Sequence, residues 1–220
     1  MNPQLAVLKG RFTSARSLSA EKERLTMPSG LLGEGLDLPR GAIAEVIGSA
    51  SSGRSTLLCA VLAGATQRQE ACAVIDTADT FDPASAAAAG VDLRFLLWVR
   101  CAAKKRCALQ VVDWLLQAGG FGVVALDIAN LTPHDVRNIP LHTWFRFRRA
   151  VEHKPTLLLV IAGEHCTGST AAMQLEMSQK TALWKGQLFH GAVWKAVPRK
   201  PVALTFRSVS TFEADACLLA

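Results

Sequence analysis

The segment Gly48-Ser-Ala-Ser-Ser-Gly53-Arg54-Ser55-Thr56 constrains this chain more than any other. It follows the apolar run Ala42 to Ile47 and leads into Ser55 to Ala65, which has helical character. Its two glycines let backbone N–H groups turn inward around an anion, at a helix N-terminus whose dipole also favours negative charge. A loop of this kind needs a strand to enter it and a helix to leave it, so it points to an α/β domain. The spacing is G-x-x-x-x-G-K-[ST], with Arg54 at the lysine position. Arginine keeps the positive charge there but not the compact ammonium geometry. The Ser55 hydroxyl is the group placed to meet Mg²⁺, and Thr56 follows it.

The rest of the chain continues the same rhythm. Ala71 to Asp76, Leu96 to Val99, Val123 to Asp127 and Leu157 to Ala162 read as strands. Ala84 to Ala89, the stripe Leu109, Val112, Leu115 and Leu116, and Leu141 to Val151 read as helices between them. Such alternation predicts βαβ crossovers and a mostly parallel sheet with helices on both faces. Near the C-terminus, Met173, Leu175 and Met177 alternate with polar residues, as do Val202, Leu204 and Phe206, which predicts antiparallel strands at the sheet edge. Asp127 closes an apolar strand, the arrangement that helps to hold Mg²⁺ beside a phosphate loop.

Leu5, Leu8, Phe12 and Ala15 fall at helical spacing, so residues 1–26 are expected to hold an N-terminal helix, ahead of a core domain over residues 27–220. Leu5, Leu8 and Phe12 are either a self-association or partner surface or part of the domain's own core. Met27 to Arg40 reads as an irregular connector.

Half of the 220 residues are hydrophobic and 19% are charged, a balance that excludes a disordered chain. The apolar run Thr156 to Gly163 is far below the roughly 20 residues that span a bilayer, and the polar N-terminus lacks a secretory pattern, so a cytoplasmic protein is expected. Six scattered cysteines without close pairs read as small buried hydrophobes rather than a disulfide framework or a zinc site. The five histidines lack ligand spacing. A net charge of +6 permits contact with nucleic acid or an acidic partner, or simply a solvated basic surface. Arg146, Arg148, Arg149 and Lys154 are the leading candidates for such a contact, and Trp98 is a candidate for contact with a protein partner.

The run from Val74 to Pro83, with Asp76, Asp82 and Pro83, and then Gly90-Val91-Asp92 and Leu96-Leu97 resemble the RecA recombinase superfamily without a gap. With the loop and Asp127, the resemblance covers roughly residues 30 to 165. It implies a RecA-like core that binds ATP with Mg²⁺ through Gly48, Gly53, Arg54, Ser55, Thr56 and Asp127, with Asp82 near the adenine. The departures from the family pattern are equally pointed. The water-positioning glutamate of the family aligns with Ala78, leaving adjacent Asp79 as a weak catalytic candidate. The adenine-stacking tyrosine aligns with Ser85, and the γ-phosphate-sensing glutamine with Gly163. Weak or absent ATPase activity is therefore expected. The segment Glu164 to Ala172, where the family has a DNA-contacting loop, is short and carries no Lys or Arg, which argues against RecA-style contacts with single-stranded DNA.

Within the superfamily, the Gly53-Arg54-Ser55 loop, Asp79 to Ser85, Leu97 to Cys101 and Trp144 to Arg149 are similar to ImuA, the RecA-like accessory of bacterial mutagenic repair cassettes. That resemblance implies a role in SOS-controlled translesion synthesis, with ImuB, an error-prone DnaE-type polymerase and RecA as partners; joined to the departures above, it gives a non-catalytic or weakly active accessory protein acting through protein contacts. A DNA-stimulated ATPase and a SulA-like division inhibitor are the alternatives.

Overall fold

The computed structural model describes residues 24–26, 37–102, 104–200 and 210–215. A short antiparallel pair, β1 (Arg24–Thr26) and β2 (Asp37–Pro39), precedes the main sheet. The connector expected over Met27 to Arg40 is thus not irregular to its end, because its last residues form β2. The main chain path then runs β3 (Ala42–Gly48), α1 (Arg54–Thr66), β4 (Ala71–Asp76), α2 (Pro83–Ala88), β5 (Leu96–Arg100), α3 (Lys105–Ala118), β6 (Phe121–Asp127), α4 (Pro133–Arg137), α5 (Leu141–Val151) and β7 (Leu157–Ala162). Three further strands follow: β8 (Met173–Lys185), β9 (Leu188–Lys200) and β10 (Ser210–Asp215).

The eight strands β3 to β10 form one sheet in the order β10-β9-β8-β3-β7-β6-β4-β5. Strands β3 to β8 are mutually parallel, and β9 and β10 add antiparallel to the edge. The expected α/β architecture is therefore the one observed. One detail differs from the sequence reading: Met173 to Met177 lie in a strand parallel to β3, and the antiparallel pairing begins only between β8 and β9. Alternating burial cannot distinguish the two directions, because period two is common to both. The second run, Val202 to Phe206, lies outside the described residues, as do residues 1–23 with Leu5, Leu8 and Phe12.

The sheet separates two apolar layers. On one face α1 is buried nearly all round, from Leu57 to Thr66, and packs with Ala44, Val46, Val74, Leu159, Leu175 and Trp194. Such a helix lies between the sheet and other structure, not at a wet surface. On the other face α3 contributes Ala108, Val112 and Leu116, and α5 contributes Trp144, Phe147 and Val151, against Ile43, Ile75, Leu126 and Leu158. Trp144 and Phe147 meet edge to face with centroids 5.9 Å apart.

The connection from β7 to β8 has no helix, although it must carry the chain back along β3 so that β8 can run parallel to it. Its backbone amides need acceptors that a helix would have supplied internally. Glu45, in the middle of apolar β3, supplies them. Its fully buried carboxylate accepts from the Cys166 N–H (2.8 Å), the Thr167 N–H (2.9 Å) and the Gln174 side chain (2.8 Å), and lies 3.0 Å from His165 Nδ1. Ala172 N–H completes the return by donating to Ile43.

Burial alone would push the Glu45 carboxyl up; the hydrogen bonds from His165, Cys166 and Thr167 outweigh it and hold the group below its ordinary value of 4.5. A depressed carboxyl stabilises the fold above that ordinary value and loses its contribution as pH falls through the lower folded value. Glu45→Gln should therefore lower stability at neutral pH by on the order of 2 kcal/mol and flatten the acid limb of the stability profile. Urea unfolding across acidic and neutral pH measures both.

Candidate functional site

The carboxyl ends of four neighbouring parallel strands converge at one edge of the sheet: Gly48 of β3, Asp76 of β4, Asp127 of β6 and Ala162 of β7. Ligands in open α/β sheets bind at this edge. The loop between β3 and α1 crosses it. Ser51 and Gly53 both hold positive φ, 61° and 90°, and Gly53 serves as the N-cap of α1 without a side-chain cap. The first-turn N–H groups of α1 thus face the loop rather than a capping side chain, which is the electrostatic requirement for an anion. Ser52 is 1% exposed and its hydroxyl has no partner, an orphaned polar group inside the loop. A phosphate-sized anion fits this arrangement, and Ser55 and Thr56 stand in the first turn where a phosphate-bound Mg²⁺ would meet a hydroxyl.

A cavity of about 360 Å³ opens beside the loop, lined by residues 51–56 with Gln179 of β8 and Ala192 and Trp194 of β9. Trp194 is buried, and its Nε1 donates to the Ser51 carbonyl at 3.2 Å. Its ring covers Gly53 so closely that a Cβ there would come within 2.6 to 2.9 Å of the indole. Glycine is therefore required at this position twice over, by the left-handed backbone and by the ring. Sequence reasoning missed Trp194 and Gln179, because strand periodicity says which face a residue occupies but not which distant loop it covers.

The cation of the loop lines this cavity and also reaches a neighbouring strand end. Arg54 Nη1 donates to the Ala162 carbonyl at 2.9 Å, bracing the loop against the end of β7. Burial draws the Arg54 pKa down, and the nearby Asp127 carboxylate acts in the opposite sense. Asp127 is in register with Asp76 across β6 and β4, and its Oδ1 accepts from the Ala129 N–H at 3.0 Å. Burial first, with the Asp76 charge adding to it, lifts the Asp127 carboxyl above its usual range. Arg54 and Asp127 thus lie together beside the loop, and Arg54, while lining the cavity, also braces the loop against the end of β7.

The remaining candidates on this edge are engaged among themselves. Asp76 accepts the N–H groups of Ala78, Asp79 and Phe81, which folds the segment after β4 into a tight turn with Asp79 at φ 60°. Asp79 forms a bidentate ion pair with Arg100 of β5. That hydrogen bonding holds its carboxyl below the usual range, so it is a poor proton acceptor. Asp82 caps α2, accepting from the N–H groups of Ala84 and Ser85 and from the Ser85 hydroxyl. The pair that aligns with the base-recognition positions is thereby closed on itself. Trp98, the candidate for a partner contact, packs on Phe81 at 5.7 Å and carries Arg100 over its ring.

Among the basic candidates, Lys154 donates to the Leu116 carbonyl at the end of α3, and Arg146 pairs with Asp113 at 3.0 Å. Arg148 lies over the Phe145 ring at 5.1 Å, and Arg149 is exposed. Glu164, in the connection after β7, pairs with Arg137. Among the described residues, no group of three or more His, Cys, Asp or Glu side chains is placed to hold a metal ion by itself, and no helix is long and apolar enough to cross a membrane.

A carboxyl whose pKa is raised by folding costs stability above its folded value and nothing below its unfolded one. Asp127→Asn should therefore raise the thermal midpoint at neutral pH, with the gain shrinking as pH falls into the carboxylate range. If Asp127→Asn instead melts lower than the wild type at neutral pH, Asp127 is held by a cation or contact that outweighs its burial.

Comparison with known proteins adds relationship to this geometry. A family model described as the RecA N-terminal domain matches residues 15–139. Protein RecA of Mesorhizobium japonicum is 37% identical over 114 residues, which is 49% of this chain and 31% of that protein. Protein RecA of Chlorobium limicola is 39% identical over 97 residues, 44% of this chain and 27% of the relative. The matched region thus covers about a third or less of the length of these relatives.

Proposed function

We propose, from the premise that this chain belongs to the RecA N-terminal domain family, that it is an accessory protein which keeps the family's phosphate-loop fold and acts through protein contacts rather than through ATP turnover. The observation that carries this reading is the state of the water-positioning region: its acceptor is missing and the adjacent acid is tied up. Ala78 offers no acceptor, Asp79 is paired with Arg100, and Arg54 gives one of its guanidinium N–H groups to the Ala162 carbonyl. Phosphoryl transfer depends on positioned charges and an oriented nucleophile. A site whose loop cation is hydrogen-bonded to a strand end, whose Ala78 offers no acceptor and whose Asp79 is locked in an ion pair falls short of both.

The finer reading places the protein in SOS-induced translesion synthesis, beside ImuB and an error-prone DnaE-type polymerase, with RecA as a further partner. It rests on the resemblance of the Gly53-Arg54-Ser55 loop, Asp79 to Ser85, Leu97 to Cys101 and Trp144 to Arg149. A second reading, in which ATP with Mg²⁺ binds as a ligand without turnover, is favoured by the cavity beside the loop and by Ser55 in the first turn of α1.

Phosphate release with Mg²⁺ and ATP, measured with and without single-stranded DNA, tests the proposal. The expected rate lies at background in both cases and does not change in Asp127→Ala. DNA-stimulated release that disappears in Asp127→Ala would identify a working ATPase instead. In a parallel pull-down, retention by ImuB or RecA is expected; retention only by a tubulin-like division protein would favour the SulA-like alternative.

A further inference from the structure

We propose that the cavity beside the phosphate loop takes a phosphate chain alone, inorganic pyrophosphate or the di- or triphosphate end of any nucleotide, and does not read the base. The inference rests on the reading in which a ligand occupies the loop without turnover, and it names that ligand's chemical class. At about 360 Å³ the cavity lies near the small end of ligand pockets, which run from roughly 300 to 1,000 Å³.

The lining decides the chemistry. Most of it is the loop itself and the first turn of α1, which bring the hydroxyls of Ser51, Ser52, Ser55 and Thr56 to a helix start that no side chain caps. Ser52 is 1% exposed, and its hydroxyl oxygen takes the place that a Cβ on Gly48 would occupy, inside the curve of the loop and without a partner. A buried hydroxyl left without an acceptor costs stability, and an oxygen of a bound phosphate supplies one. Among the described residues that line the cavity, Arg54 alone is charged, and its Nη1 is held by the Ala162 carbonyl. Neutral donors therefore do most of the lining, and donors are what phosphate oxygens require.

The far wall comes from the sheet edge. Strand β3 pairs with β8 only as far as Gly48 with Met177, so Gln179 stands two residues past the last paired position, beside the loop. It lies directly opposite Trp194 across β8 and β9, and residues so paired share a face. Gln179 is exposed, and its carboxamide offers N–H groups to the part of a phosphate chain that reaches beyond the loop. The same wall withholds what a base needs, a ring or apolar face to stack on and partners for its edge. Trp194 is buried, its Nε1 is given to the Ser51 carbonyl, and its ring lies against Gly53. Ala192 is buried and too small to stack on. Asp82 and Ser85 do not line the cavity and are bonded to each other. Recognition therefore ends with the phosphates.

The test is calorimetric titration of the full chain, in the presence of Mg²⁺, with pyrophosphate, with non-hydrolysable analogues of ATP and of GTP, and with adenosine. Pyrophosphate and both analogues are expected to bind and to displace one another, the two analogues with equal affinity, and adenosine is expected not to bind. Gln179→Ala changes an exposed side chain, and Ser52→Ala removes a hydroxyl that has no partner. Neither should lower the unfolding midpoint, and each should weaken pyrophosphate and both analogues by about tenfold or more, the worth of one hydrogen bond to a charged group. An ATP analogue bound at least about tenfold more tightly than the GTP analogue, adenosine that binds, or pyrophosphate that does not, would overturn the proposal. So would wild-type affinity in either variant. ATP turnover, which would sink the accessory reading, is read from phosphate release and leaves the base comparison, made with the analogues, readable on its own.

Discussion

The carboxylate of Glu45 is the interaction on which the phosphate-loop edge depends. A charged side chain at the centre of an apolar strand is costly unless it is fully hydrogen-bonded, and here the chain that returns from β7 supplies the donors. Two backbone amides, Gln174 and His165 all reach it. Because they do, a connection without a helix can run back along β3 and deliver β8 parallel to it. With β8 in place the hairpin to β9 follows, and β9 sets Trp194 over Gly53. One buried acid thus governs the geometry of a loop three residues further along its own strand.

That geometry gives the loop a mechanical as well as a chemical character. The loop retains what an anion requires: a glycine N-cap at the start of α1 and, on a side chain, the buried Ser52 hydroxyl. Its side chains tie it down. Arg54 reaches the end of β7, Trp194 bonds the Ser51 carbonyl, and the acids on the neighbouring strands hold turns and ion pairs. Family membership explains why the loop is there; the engaged side chains explain why membership alone does not establish an ATPase.

Much of this is legible in the sequence. Ala71 to Asp76, Leu141 to Val151 and Leu157 to Ala162 coincide with the observed elements, because short apolar runs bounded by polar residues and a clean helical stripe leave little choice. The loop and Asp127 are readable from spacing, and the missing acceptor at Ala78 from the resemblance to the RecA family. What escapes are particular contacts across long sequence separation: Glu45 with residues 165–174, Arg54 with Ala162, Trp194 with Ser51, Asp79 with Arg100. Periodicity encodes which face a residue occupies, not what it will meet there. Strand direction is equally silent, which is why the alternation in β8 suggests an antiparallel strand where a parallel one forms. A lone glutamate inside Ala42 to Gly48 is the one available hint, since an acid in such a strand must find partners.

The central claim is that Arg54 braces the fold rather than gripping phosphate. Arg54→Ala tests it directly, by thermal unfolding alongside calorimetric titration with Mg²⁺ and a non-hydrolysable ATP analogue. The account predicts a lower unfolding midpoint, with nucleotide affinity changed little from that of the wild type. An unchanged midpoint together with lost affinity would contradict it and return Arg54 to the role of a phosphate ligand.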